Sequence, residues 1–149
     1  MELRSTKTNP DRVLRRLLAD SPDIDALVER VADHRQRRTQ LLAYEFPAGA
    51  EVSGMWLALP DQDVIAYPSG ASPMRRCAVI GHEIGHMLLE HDVASLGKAL
   101  DLADVPVARF LAREHYDNVE EAAAERVATL VVRELMGRKG THWLSARLR

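Results

Sequence analysis

The stretch His82-Glu83-Ile84-Gly85-His86 constrains this chain more than any other. Two histidines four residues apart follow Cys77-Ala78-Val79-Ile80 and precede Met87-Leu88-Leu89, which is the apolar flank of a buried helix. On a helix, His82 and His86 stand one turn apart on the same face, so both imidazoles reach a single metal ion. Glu83 lies about 100° round the axis, near enough to touch a water beside that metal without ligating it. The residue types suit Zn²⁺, which takes neutral imidazole nitrogens and leaves a carboxylate to accept a proton. Gly81 and Gly85 would each cost a solvated helix about 1 kcal/mol relative to alanine. They make sense where a second backbone packs close, which sets this helix apart from a surface helix that happens to carry two histidines. Cys77, five residues before His82, points away from the metal face and reads as a small buried hydrophobe.

The rest of the chain reads as elements around this helix. Asn9-Pro10 is a helix start, and Val13, Leu14, Leu17 and Leu18 give the helix one apolar side. Ser21-Pro22 predicts a second start, with Ile24, Leu27, Val28 and Val31 at helical spacing as far as about Arg38. Leu41–Phe46, Met55–Leu59 and Val64–Tyr67 read as strands, the last two joined by a four-residue turn, Pro60-Asp61-Gln62-Asp63. Connections this short predict a small antiparallel sheet. Ser72-Pro73 opens the histidine helix, which should run to about Glu90. One or two short helices are expected between Asp92 and Tyr116, and Asp117 with Glu120 resembles a capping box. The Ala-rich helix that it opens should end at Gly137, before a basic tail over 138–149.

Composition removes several function classes. Twenty Lys and Arg against 22 Asp and Glu leave a net charge of −2, without the basic surplus expected for direct nucleic-acid binding. Cys77 is the only cysteine, so no internal disulfide forms, and no apolar run approaches the roughly 20 residues of a membrane span. The polar start MELRSTKTNPDR is unlike a secretion signal, and the expected location is the cytoplasm. At 149 residues the expected organisation is one domain, 1–149, with a helical N-terminal extension over 1–40. The Arg35, Arg37 and Arg38 cluster reads as a solvated helix end.

A catalytic zinc needs a third protein ligand and an open position. His91 follows His86 by five residues, whereas the metzincin spacing is six with an intervening glycine. His115 lies in a loop region without a partner pattern. The Ala-rich helix offers Glu120, Glu121 and Glu125, of which Glu121 and Glu125 share a face and Glu120 lies about 100° away. Such a pair can give one carboxylate to the metal and the other to the free N–H of a ligand histidine. Tyr116, His115 and His142 are candidates to stabilise an oxyanion, Tyr116 foremost.

HEIGHMLLEHD, followed 35 residues after His86 by the glutamate pair in YDNVEEAAAERVATLVV, resembles the ImmA/IrrE family of small metallo-endopeptidases. That family pairs a His-Glu-x-x-His helix with a later Glu-x-x-Ala-(Asn, Asp or Glu)-x-x-Ala helix, and Glu121, Ala124, Glu125 and Ala128 fill those places. Val127 stands where the family usually has an aromatic residue. The resemblance spans about Leu41 to Val132. It implies a minimal zincin-like α+β domain with a small antiparallel sheet packed against helices. It also implies Zn²⁺ held by His82, His86 and Glu121, with Glu83 as general base and Glu125 supporting a histidine. The implied activity is cleavage of a protein substrate such as a helix-turn-helix repressor or an antitoxin partner. A metal-binding regulator that holds such a partner without cutting it is the alternative.

Overall fold

The computed structural model describes residues 9–48, 54–90 and 118–147, with 138–147 described by backbone path only. Helix α1, Pro10–Ala19, begins where Asn9 accepts a hydrogen bond from the Asp11 N–H, and it buries Val13, Leu14, Leu17 and Leu18. Ser21 does not open the next helix as expected. Its buried hydroxyl donates to the Leu17 carbonyl (2.7 Å), closing the end of α1, and Asp23 caps α2 by accepting from Ala26 N–H at 2.8 Å. Helix α2, Ile24–Arg35, stops short of Arg38 because Gln36 turns into the left-handed region at φ 55°. Its N–H satisfies the Ala32 and Asp33 carbonyls there and sends the chain into the sheet.

The sheet has three strands, β1 (Arg38–Tyr44), β2 (Met55–Ala58) and β3 (Gln62–Pro68), in the order β1-β3-β2. Only half of the expected antiparallel pairing is present. β2 and β3 form the hairpin, but β1 runs parallel to β3, with Leu41 beside Ile65. The chain between Tyr44 and Gln62 is long enough to return to the starting end, and β2 itself lies in that return, so no crossover helix is needed. The hairpin turn is also tighter than four residues. Leu59 N–H donates to the Gln62 carbonyl at 2.8 Å, leaving Pro60-Asp61 at the tip and Asp63 inside β3. Alternation divides the sheet: Trp56 and Ile65 join the core shared with the helices, while Met55, Leu57, Val64 and Ala66 cluster with Tyr44, Phe46 and Leu59.

Helix α3, Pro73–Leu88, starts as the sequence predicts, with Ser72 Oγ accepting from Arg75 N–H at 3.2 Å. It stops just short of Glu90, whose φ is 57°. Helix α4, Asn118–Arg147, continues through Gly137 instead of ending there. A side chain at 137 would meet open space, so no packing forces a turn, and an interior glycine costs only about 1 kcal/mol. The Asp117 cap and the short helices between Asp92 and Tyr116 lie outside the described residues.

The result is an α+β fold in which α3 lies antiparallel against α4 and rests on the sheet, consistent with a small zincin-like domain. One core gathers Leu14 and Leu18 of α1, Leu27 of α2, Ile65 of β3, Ile80, Ile84 and Met87 of α3, and Val131 and Leu135 of α4. Among the described residues, no helix is long and apolar enough to cross a membrane.

Candidate metal centre

Helix geometry places His82 and His86 as the sequence anticipates, on the side of α3 that faces α4. Their rings meet edge to face with centroids 4.8 Å apart, and the two Nε2 atoms lie 3.2 Å from one another. Glu121 of α4 reaches both. Its Oε2 is 3.2 Å from His82 Nε2 and its Oε1 is 3.2 Å from His86 Nε2. His86 is buried, whereas the Glu121 side chain is 46% exposed, so the group opens toward solvent on the α4 side. Among the described residues, His82, His86 and Glu121 form the one group of three whose donor atoms come together closely enough for a metal ion.

Two glycines of α3 lie where α4 packs on it. A methyl group at Gly85 would lie 2.8 Å from the Cα of Ala124, and one at Gly81 would lie 3.3 Å from the Cα of Ala128. This is the close second backbone that the two glycines predict from the sequence: they are where α4 packs down on α3.

The donor set fits a metal. His82 Nδ1 is 3.0 Å from Glu125 Oε2, and in a neutral ring it donates there, leaving Nε2 with a lone pair. That lone pair faces a carboxylate oxygen and a second imidazole nitrogen, both at 3.2 Å. A carboxylate and two imidazole nitrogens drawn together like this can share a cation. Their spacing is close to the edge of a tetrahedron with ligands about 2.0 Å from its centre, roughly 3.3 Å, as in zinc sites.

Glu83, next to His82 in sequence, turns toward the sheet, near Gly54. It is buried, 5% exposed, and burial pushes its carboxyl up to about 8, with the charge of Glu121 adding to the effect. A divalent cation at the adjacent histidines would oppose that shift and favour the carboxylate. Gly54, just before β2, closes over this residue. A methyl group there would overlap Val79 Cγ1 and come within 3.4 Å of Glu83 Oε1. Sequence reasoning did not find Gly54, because a lone glycine ahead of a short strand carries no pattern of its own.

A second polar cluster was also missed. Asp63 is fully buried, and its carboxylate accepts from Trp56 Nε1 (3.2 Å) and pairs with Arg35 and Arg37, each at 3.3 Å. Arg35 also donates to the Met87 carbonyl at 2.7 Å, at the end of α3 next to His86. Arg35 and Arg37 are therefore not a solvated helix end. They turn inward because β3 carries a carboxylate on the core face, where the sequence reading placed a turn.

Cys77 is buried in the hydrophobic core, the small buried hydrophobe that the sequence predicts. His91, His115 and Tyr116 lie outside the described residues, as does the side chain of His142.

Residues 69–140 match the profile of Peptidase family M48. The matched stretch contains α3, most of α4 and every residue of the candidate metal group. Similarity to this metallopeptidase family supports metallopeptidase chemistry in general, and a metal-dependent site at the histidine pair. No match was found among curated proteins or among solved structures.

Proposed function

We propose that the chain is a zinc-dependent endopeptidase that cuts a protein substrate in the cytoplasm. The observation that carries this reading is a buried glutamate, Glu83, beside a His82–His86–Glu121 group whose donor atoms converge from two helices. Zinc held by these three residues would supply Lewis-acid polarisation of a water molecule and of the scissile carbonyl. Glu83 takes the proton from the attacking water as its oxygen bonds to the carbonyl carbon. It returns that proton to the nitrogen as the C–N bond breaks. Glu125 holds the His82 ring through Nδ1, fixing its tautomer and direction. β2 is an outer strand of the described sheet, beside Glu83 at Gly54, and an extended peptide adding to it would lie along the site. Tyr116 remains the candidate for stabilising the oxyanion.

The motif residues resemble the ImmA/IrrE family as well as matching the M48 profile, and the ImmA/IrrE resemblance gives the substrate class. A helix-turn-helix repressor or an antitoxin encoded beside this chain is the partner to test. Wild type, Glu83→Gln and His86→Ala are compared for loss of that partner in cells. Glu83→Gln keeps size and metal ligands but cannot accept the proton, so cleavage should fall by about 10²–10⁴-fold while the partner stays bound. Wild-type behaviour in Glu83→Gln, with loss in His86→Ala, would instead establish a metal-dependent regulator that does not cut.

A further inference from the structure

At Gly85, between the two histidines in sequence, the backbone of α4 packs directly on α3. A Cβ at Gly85 would sit 2.8 Å from Ala124 Cα, 3.1 Å from the Ala124 carbonyl oxygen and 3.1 Å from Val127 Cβ. At Gly81, one turn away, the nearest atoms are Cβ and Cγ1 of Val131, both at 3.2 Å, and Ala128 Cα at 3.3 Å. The two contacts differ in degree. A methyl group at Gly81 asks its neighbours to give by a few tenths of an ångström, whereas one at Gly85 is closer to the Ala124 backbone than a Cβ can come, so α4 has to move.

Ala124 follows Glu121 by three residues, so the two share a face of α4 one turn apart. The height of α4 above Gly85 therefore sets how far the Glu121 carboxylate reaches across α3. We propose that Gly85 is a positioning residue of the metal centre, its missing side chain fixing the helix separation at which Glu121 closes the group with His82 and His86. This inference rests on the reading that those three residues hold a metal, and assigns a further residue to it. Gly85 offers no donor atom; it acts through the position of α4. Metal–ligand distances tolerate only about 0.2 Å, so even a small lift of α4 should register at the metal.

The test uses the full chain with Co²⁺, whose visible absorption reports ligand number and geometry, and Zn²⁺ affinity measured against a competing chelator. Circular dichroism of the metal-free proteins reports folding. Gly85→Ala and Gly81→Ala make the same change in helix propensity, so a difference between them reads the packing. Gly85→Ala should bind both metals at least tenfold more weakly and shift the Co²⁺ bands, while Gly81→Ala stays within about threefold of wild type. Moving the methyl across the seam, in Gly85→Ala/Ala124→Gly, should recover most of the loss.

Wild-type affinity and spectrum in a folded Gly85→Ala would overturn the proposal, as would equal losses in both single variants. Where Gly85→Ala does not fold, the double variant decides. Metal binding within about threefold of wild type upholds the proposal, and a folded double variant that has lost the metal overturns it. Failure of the wild type to take up Co²⁺ or Zn²⁺ would be a failure of the metal reading itself, distinct from any of these.

Discussion

His82 and Glu125 face each other across two helices, with Nδ1 3.0 Å from Oε2. The contact joins α3 to α4 and is made by the ring nitrogen that does not face His86. It orients the other nitrogen, Nε2, toward Glu121. Glu125→Ala should therefore weaken zinc binding about 10–100-fold without removing a ligand, and Glu125→Gln should retain part of the effect through its amide oxygen. Competition with a chelator at fixed pH checks both. Affinity unchanged in Glu125→Ala would show that the contact does not orient the ring.

Glu121 and Glu120 are adjacent in sequence and differ by a third of a helical turn. Only Glu121 joins the histidine group. Glu121→Ala should lose far more metal affinity than either Glu120→Ala or Glu125→Ala. The same difference should appear in thermal unfolding. Zinc at about 100 times its dissociation constant should stabilise the wild type by about 2.7 kcal/mol, and chelation should remove that increment. At the same zinc concentration, Glu121→Ala should show almost none of it. A Glu120→Ala variant that behaved like Glu121→Ala would transfer the ligand assignment.

Asp63 has no exposed surface and pairs with Arg35 and Arg37. Removing one partner of a buried ion pair leaves an uncompensated charge, so Asp63→Ala should cost about 3–5 kcal/mol. Urea unfolding of the metal-free chain measures this without reference to the metal. Asp63→Asn, which can still accept from Trp56 Nε1, should lose less. A loss under 1 kcal/mol in Asp63→Ala would mean that the arginines find water instead.

A methyl group at Gly54 overlaps Val79 Cγ1. Gly54→Ala should destabilise the chain by about 1–3 kcal/mol through overpacking, and Val79→Ala in the same chain should restore part of that. A double-mutant cycle on unfolding free energies gives the coupling directly. Additive effects would show that β2 moves aside at no cost.

The histidine helix was legible because its polar groups and its packing share one period. His82 and His86 repeat at the spacing that puts them on one face, and Gly81 and Gly85 repeat at the same spacing toward α4. Glu121 and Glu125 follow the same logic on the second helix. The sheet was harder to read, because strand direction is not written in alternation. Val64, Ile65 and Ala66 pair equally well with a parallel or an antiparallel neighbour, and only the route of the chain between Tyr44 and Gln62 decides. The arginines were misread for a related reason. Asp63 lies beside Pro60 and Asp61, which mark a turn, so its burial depends on a hairpin one pair tighter than expected.

Helices α1 and α2 lie outside the stretch that resembles peptidases, yet Leu14, Leu18, Leu27 and Val31 lie in one core with Ile80, Ile84 and Met87. Arg35, the last residue of α2, holds the Met87 carbonyl beside His86. The matched region is consequently not a portable unit. Excised at residue 69, it would expose the apolar back of its own histidine helix and lose the cation at that helix's carboxyl end. Any minimal version of this protein has to begin before Pro10.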